Sequence, residues 1–116
     1  MDEFDIPIFK KTYELYKTVY SYRASVSKQD RYTLWQRCET ILLDILEGML
    51  MASQMSKAEK LPTLMGVSTK LNLLRVFIRL NKDVKAIDMK KYLVLQQDID
   101  EIGKMLGGWI KSTKTL

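Results

Sequence analysis

The sequence contains no histidine and a single cysteine, and these two shortages close most familiar routes to chemistry. Without histidine there is no Ser-His or Cys-His nucleophilic pair, no Cys/His metal site and no Glu-x-x-His ligand set of the di-iron bundles. Cys38 alone cannot close an intramolecular disulfide, and it reads as a small buried hydrophobe. Also missing is any run of about 18 uncharged apolar residues, so no membrane span is expected. The opening "MDEFDIPIF" is acidic, unlike a signal or transit peptide, which points to a cytoplasmic protein. With two prolines, five glycines and no low-complexity tract, little interrupts the chain, and no strand-like alternation persists.

What remains is a helical apolar period running through 116 residues, a length that suits one domain with its own core. The first helix opens at "DIPIF", with Asp5 as its cap and Pro7 in the first turn, and carries Phe9, Tyr13, Tyr16 and Tyr20 on one face, read as core. In "ASVSKQD", Ser27 and Asp30 form a capping-box variant that starts the second helix. Its inner stripe is Leu34, Cys38, Ile41, Ile45, Met49 and Ala52, and Trp35, Leu42 and Leu46 form a second apolar flank. After the connector "SQMSKAEK", Pro62 starts a third helix in which Ser68, Asn72, Arg75, Arg79 and Lys82 gather on one polar strip. The wide apolar arc left over marks either the centre of a bundle or part of a subunit interface. Asp88 caps the last helix, whose seam is Tyr92, Leu95, Ile99, Ile102, Leu106 and Trp109. Helices over about residues 6–23, 28–53, 62–82 and 88–112, joined by short connectors, predict an all-α, up-down-up-down antiparallel four-helix bundle in a single domain.

"EIGKMLGGWIKS" places three glycines in that last helix. Gly103 and Gly107 lie one turn apart and suit a groove for close helix approach. Gly108 points the other way, as a subunit contact or a late cap, and Trp109 with Ile110 continues the apolar seam beyond them.

Three stretches, "RYTLWQRCETILLDILEGML", "KLNLLRVFIRLNKDVKAI" and "IGKMLGGWIKS", with the opening "IPIFKKTYELY", resemble the accessory variability determinant proteins of bacterial and phage diversity-generating retroelements. The related rRNA intervening-sequence proteins share the bundle but tend to carry an "NIAEG"-like stretch, where this chain has "DILEGMLMA". The resemblance implies a non-enzymatic, homopentameric four-helix bundle without a cofactor. It also implies nucleic-acid binding through a basic surface and association with a reverse transcriptase that makes error-bearing complementary DNA. The family's motif places basic residues at Arg75 and Arg79.

A formal charge of +5, from 19 basic and 14 acidic residues, is compatible with a polyanionic partner. Arg75 and Arg79 stand at a like-charge spacing that calls for something negative opposite. They and Lys82 and Lys85 are candidates for contacts to phosphates or to an acidic patch on the polymerase. The structural alternative is an ion pair with Asp44, Glu47 or Asp98. Lys10, Lys11, Lys17, Arg23, Lys28 and Arg31 form a second basic neighbourhood, unless they are simply the solvated side. No motif for sequence-specific readout is present, so binding to RNA or DNA should be salt-sensitive and weakly specific. Two competing functions are a bundle that binds protein partners only, like the intervening-sequence type, and a chorismate-mutase-like enzyme. The second is disfavoured because the basic strip of the third helix lies outside its apolar arc.

Overall fold

The computed structural model describes residues 6–114, and every regular element among them is helical. Helix α1 spans Pro7–Tyr22, with Pro7 at the first helical position, where its missing N–H costs nothing. The residue preceding it is Ile6, which offers no side-chain cap; the expected cap, Asp5, lies outside the described residues. A 3-10 turn, Arg23–Ser25, leads to α2 over residues 28–53. Here Ser27 holds the cap position, but its hydroxyl donates to the Asp30 carboxylate (3.1 Å) rather than accepting from a backbone N–H. A wide π-helical turn, Arg31–Trp35, interrupts α2 near its start.

Helix α3, Lys57–Asp83, begins five residues before the expected start at Pro62. Ser56 accepts from the Glu59 N–H, and acidic Glu59 favours the positive end of the helix dipole. Pro62 therefore sits inside the helix, in its second turn, and much of "SQMSKAEK" is helix rather than connector. Helix α4, Met89–Lys114, starts where expected: Asp88 accepts from the Lys91 N–H at 2.8 Å.

Each helix packs against two others, α1 on α2 and α4, and α3 on α2 and α4, so the four enclose one core in a bundle 48 Å long and 23 Å wide. The core takes Ile8, Leu15 and Val19 from α1, the expected stripe of α2 apart from Leu34, Leu64, Leu71, Leu74 and Ile78 from α3, and Leu95, Ile99, Ile102 and Leu106 from α4. In α2, Trp35 is wholly buried, its indole donating to the Val19 carbonyl at 3.1 Å, whereas Leu34 and Leu46 are half-buried. Cys38 is buried as expected, and burial pushes its thiol up to about 12. Only half of the aromatic face of α1 reaches the core: Phe9 and Tyr16 are half-buried and pack against it, whereas Tyr13 and Tyr20 are exposed. The residues that point fully inward are Ile8, Thr12, Leu15 and Val19, and Thr12 can be buried at little cost because its hydroxyl donates to the Ile8 carbonyl (2.8 Å).

The close helix contact falls at a different glycine from those expected. A Cβ on Gly48 of α2 would stand 2.6 Å from Cγ2 of Val67 on α3. A Cβ on Gly103 would be 3.4 Å from Arg75 Nη2, an ordinary contact, and one on Gly107 or Gly108 would meet nothing within 4 Å. Among the described residues no helix makes a close approach at Gly103 or Gly107, and α4 runs unbroken through all three glycines, so none of them is a cap.

The α3–α4 connector closes with Lys85 at φ 67°, the one non-glycine residue in the left-handed region among those described. Its N–H donates to the Lys82 carbonyl (2.9 Å) and that of Ala86 to the Asn81 carbonyl (2.8 Å), which completes a Schellman ending. Glycine usually holds this position, and a side chain there costs about 1 kcal/mol or more. Ala86 and Ile87 then turn inward and plug the end of the core.

Candidate nucleic-acid interface

Ten basic side chains are predicted from the sequence to meet a polyanion, and the fold separates them by what each already touches. On α3 the polar strip exists, but its members differ. Arg75, one-third exposed, donates to Asp100 on α4 (3.1 Å) and to Asn72 (3.1 Å). It is thus held in an ion pair between helices, with Asp100 rather than Asp44, Glu47 or Asp98. The pair forms one wall of a groove of about 460 Å³, into which Gly103 and Gly107 open beside Lys104. Arg79, one turn further along, is exposed and has no acidic partner among the described residues. Lys82 lies 3.3 Å from Asp83 and over the Tyr92 ring at 4.7 Å. Lys85 is exposed in the connector and unpaired among the described residues.

The second neighbourhood does not assemble as one patch. Lys10 and Arg23 stand thirteen residues apart along α1 and its exit, roughly 20 Å at 1.5 Å per residue. Lys11 is committed to Glu101 (2.6 Å) and Asp98 (3.5 Å) of α4. The bond to Glu101 raises the Lys11 pKa and lowers that of Glu101, each favouring its charged form. Lys17 pairs with Glu14 at 3.4 Å, while Lys10 and Lys28 are exposed and unpaired among the described residues. Arg31 donates to the Val26 carbonyl (3.0 Å), and its buried Nε has no partner among the described residues.

Arg23 shows what burial does to charge. It pairs with Glu39 at 2.5 Å and lies 5.0 Å above the Tyr32 ring. Glu39 is buried and its second oxygen has no partner among the described residues, so desolvation raises its pKa despite the arginine, which acts in the opposite direction. The pair anchors the α1–α2 turn to α2.

Sequence reasoning missed Lys90 and Lys91, adjacent in "DMKKY" directly after the Asp88 cap. Lys91 lies 3.5 Å from Asp88 and 5.6 Å from the Tyr22 ring centre, and Lys90 is exposed. The doubled lysine at a helix start, where cations oppose the helix dipole, was the available signal. With it, Lys28, Lys85 and Lys90 form a set of exposed cations without a salt bridge among the described residues, Lys90 acting on Asp88 only through its charge, on segments bordering the first and third connectors. These meet in space, since Ser25 of the first lines one open cavity with Lys82, Lys85 and Lys91.

Among the described residues no three Cys, Asp or Glu side chains converge to hold a metal ion, and no helix is long and apolar enough to cross a membrane. The arrangement offers charge and hydrogen-bond donors. The model of the bAvd-like family matches residues 7–113, spanning all four helices and both sets of basic residues. The chain belongs to the bAvd-like family. Comparison with curated proteins gives no match. The resemblance read from "KLNLLRVFIRLNKDVKAI" and "IGKMLGGWIKS" is thereby borne out at the level of the family.

Proposed function

We propose that this bAvd-like protein is a non-enzymatic accessory factor that binds nucleic acid, associates with a reverse transcriptase and supports mutagenic complementary-DNA synthesis in a diversity-generating retroelement. The family match over residues 7–113 carries this reading. The basic surplus and the exposed cations Lys10, Lys28, Arg79, Lys85 and Lys90, none of them in a salt bridge among the described residues, support it, because contacts to phosphate need charge and not sequence-reading machinery. The short connectors support an up-down-up-down antiparallel order.

Self-association into a ring, five copies on the family resemblance, is part of the proposal. Two different apolar faces support it. Met65, Val76 and Leu80 stand exposed along α3, Val76 by 62%, with Val84 exposed directly after its end. On the other side of the bundle Tyr16, Tyr20, Leu43 and Leu46 border an apolar groove between α1 and α2. A ring of more than two copies needs two unlike surfaces that meet head to tail, which two such faces can supply.

The test is binding of purified protein to template RNA from low to high salt, with co-purification of the cognate reverse transcriptase as a second arm. Binding that weakens steeply with salt is expected. No RNA binding even at about 50 mM salt, with polymerase association retained, would favour the protein-only scaffold of the rRNA intervening-sequence type.

A further inference from the structure

The open cavity at the end of the bundle, about 620 Å³, is lined by Ser25, Lys82, Asp83, Lys85, Asp88 and Lys91. Its charges are unequally committed. Asp83 holds Lys82 at 3.3 Å, and Asp88 holds Lys91 at 3.5 Å while also accepting the Lys91 N–H. Both acids are thus engaged, and Lys85 is the lining cation left without a partner among the described residues. Its backbone is the second observation. Lys85 occupies a left-handed position (φ 67°) that glycine adopts without strain. Nothing among the described residues uses the lysine head group, so the fold alone would be better served by glycine. Strain that the fold does not need is kept where the side chain has work to do.

We infer that this end of the bundle binds the phosphodiester backbone of a nucleic acid, with Lys85 contacting one phosphate and Lys28 and Lys90 contacting its neighbours. The inference rests on the nucleic-acid reading above and locates it. A single small anion would meet one unpaired ammonium beside two carboxylates, a weak site. A polyanion crossing the end of the bundle would meet Lys85 in the cavity lining and the exposed Lys28 and Lys90 on the segments that border it, and their counterion-release contributions would add. Arg75, already held by Asp100, is not needed for this contact.

The test compares the wild-type chain with Lys85→Gly and Lys85→Arg for binding to a single-stranded RNA oligonucleotide across salt. Lys85→Gly relieves the backbone, so its melting temperature should equal or exceed that of the wild type. Its RNA affinity should nonetheless fall, with the slope of log K against log salt shallower by about 0.7 per chain, and the gap to wild type should narrow roughly threefold from about 50 to about 200 mM salt. Lys85→Arg should keep the wild-type slope. Wild-type RNA binding that Lys85→Gly leaves unchanged overturns the site while sparing the proposed function; a wild type that binds no RNA removes both. Saturable binding of inorganic phosphate at this end without any loss of RNA affinity in Lys85→Gly would mark a small-anion site and also overturn the inference. So would loss of reverse-transcriptase association alone.

Discussion

A methyl group at Gly48 would lie 2.6 Å from Cγ2 of Val67, a short, branched side chain with little freedom to move aside in a helix. Gly48→Ala is therefore expected to destabilise the chain by about 1–2 kcal/mol, the clash outweighing the gain in helix propensity. In a denaturant-unfolding cycle with Val67→Ala, the double variant should be more stable than the two single changes summed; additivity would reject the contact. Gly107→Ala should be neutral or stabilising by up to about 1 kcal/mol, since its Cβ meets open space. The sequence drew attention to the glycine cluster in "EIGKMLGGWIKS" because clusters are visible, whereas the need for glycine at position 48 depends on which residue of α3 faces it. Glu39 gives a second prediction at this scale. Its pKa is raised in the folded chain, so its stabilising share is fully present below the ordinary glutamate value and is lost as pH rises through the folded value. Replacement by Gln should remove that trend: the stability of Glu39→Gln relative to wild type should improve as pH climbs from about 4 towards neutrality. A flat difference in urea unfolding across that range would contradict it.

At the level of the element, α4 was the most legible helix and α2 and α3 were legible with offsets. Of the expected α4 seam, Leu95, Ile99, Ile102 and Leu106 are buried because nothing disturbs the period between Asp88 and Lys114, while its two ends, Tyr92 and Trp109, are half-buried against the core. In α2, a regular wheel places Leu34 in the inner stripe and Trp35 on the flank. The π turn adds one residue to the helix at 31–35, and Trp35 ends up buried while Leu34 is half-buried. In α3, Pro62 looks like a start signal, but Ser56 and Glu59 cap the helix earlier, and a proline near the N-terminus is tolerated more readily than one in mid-helix. Ser56→Ala should cost about 1 kcal/mol and weaken hydrogen-exchange protection from Lys57 towards Pro62 without affecting the C-terminal half of α3. Unchanged protection there would show that packing, not the cap, holds the first turn.

For the whole molecule, the class of fold and the identity of the charged strip were readable, and the pairing of charges was not. Arg75 meets Asp100 and Lys11 meets Glu101 because of how α4 is rotated against its neighbours, a relation between helices that no single periodicity encodes. The exposed half of the α1 aromatic face, Tyr13 and Tyr20, was misjudged for the same reason: the choice between two adjacent stripes is made by partners, and Thr12 suits the interior better than its polarity suggests. The exposed apolar residues of α3 lead to a prediction about assembly. Val76→Glu together with Leu80→Glu should leave circular dichroism unchanged and reduce the mass measured by light scattering to that of one chain. An assembly that keeps its wild-type mass would remove α3 from the interface.

The wide turn at Arg31–Trp35 has a consequence for how this chain can change length. A π turn is an α-helix holding one residue in reserve, and removing that residue closes the turn to ordinary pitch while the rest of α2 keeps its orientation. Elsewhere in the bundle a one-residue deletion would swing an apolar face away from the core by about 100°. Deleting Thr33, which is exposed, is expected to be survivable, and the tolerance of α2 to such a loss sets it apart from the other three helices.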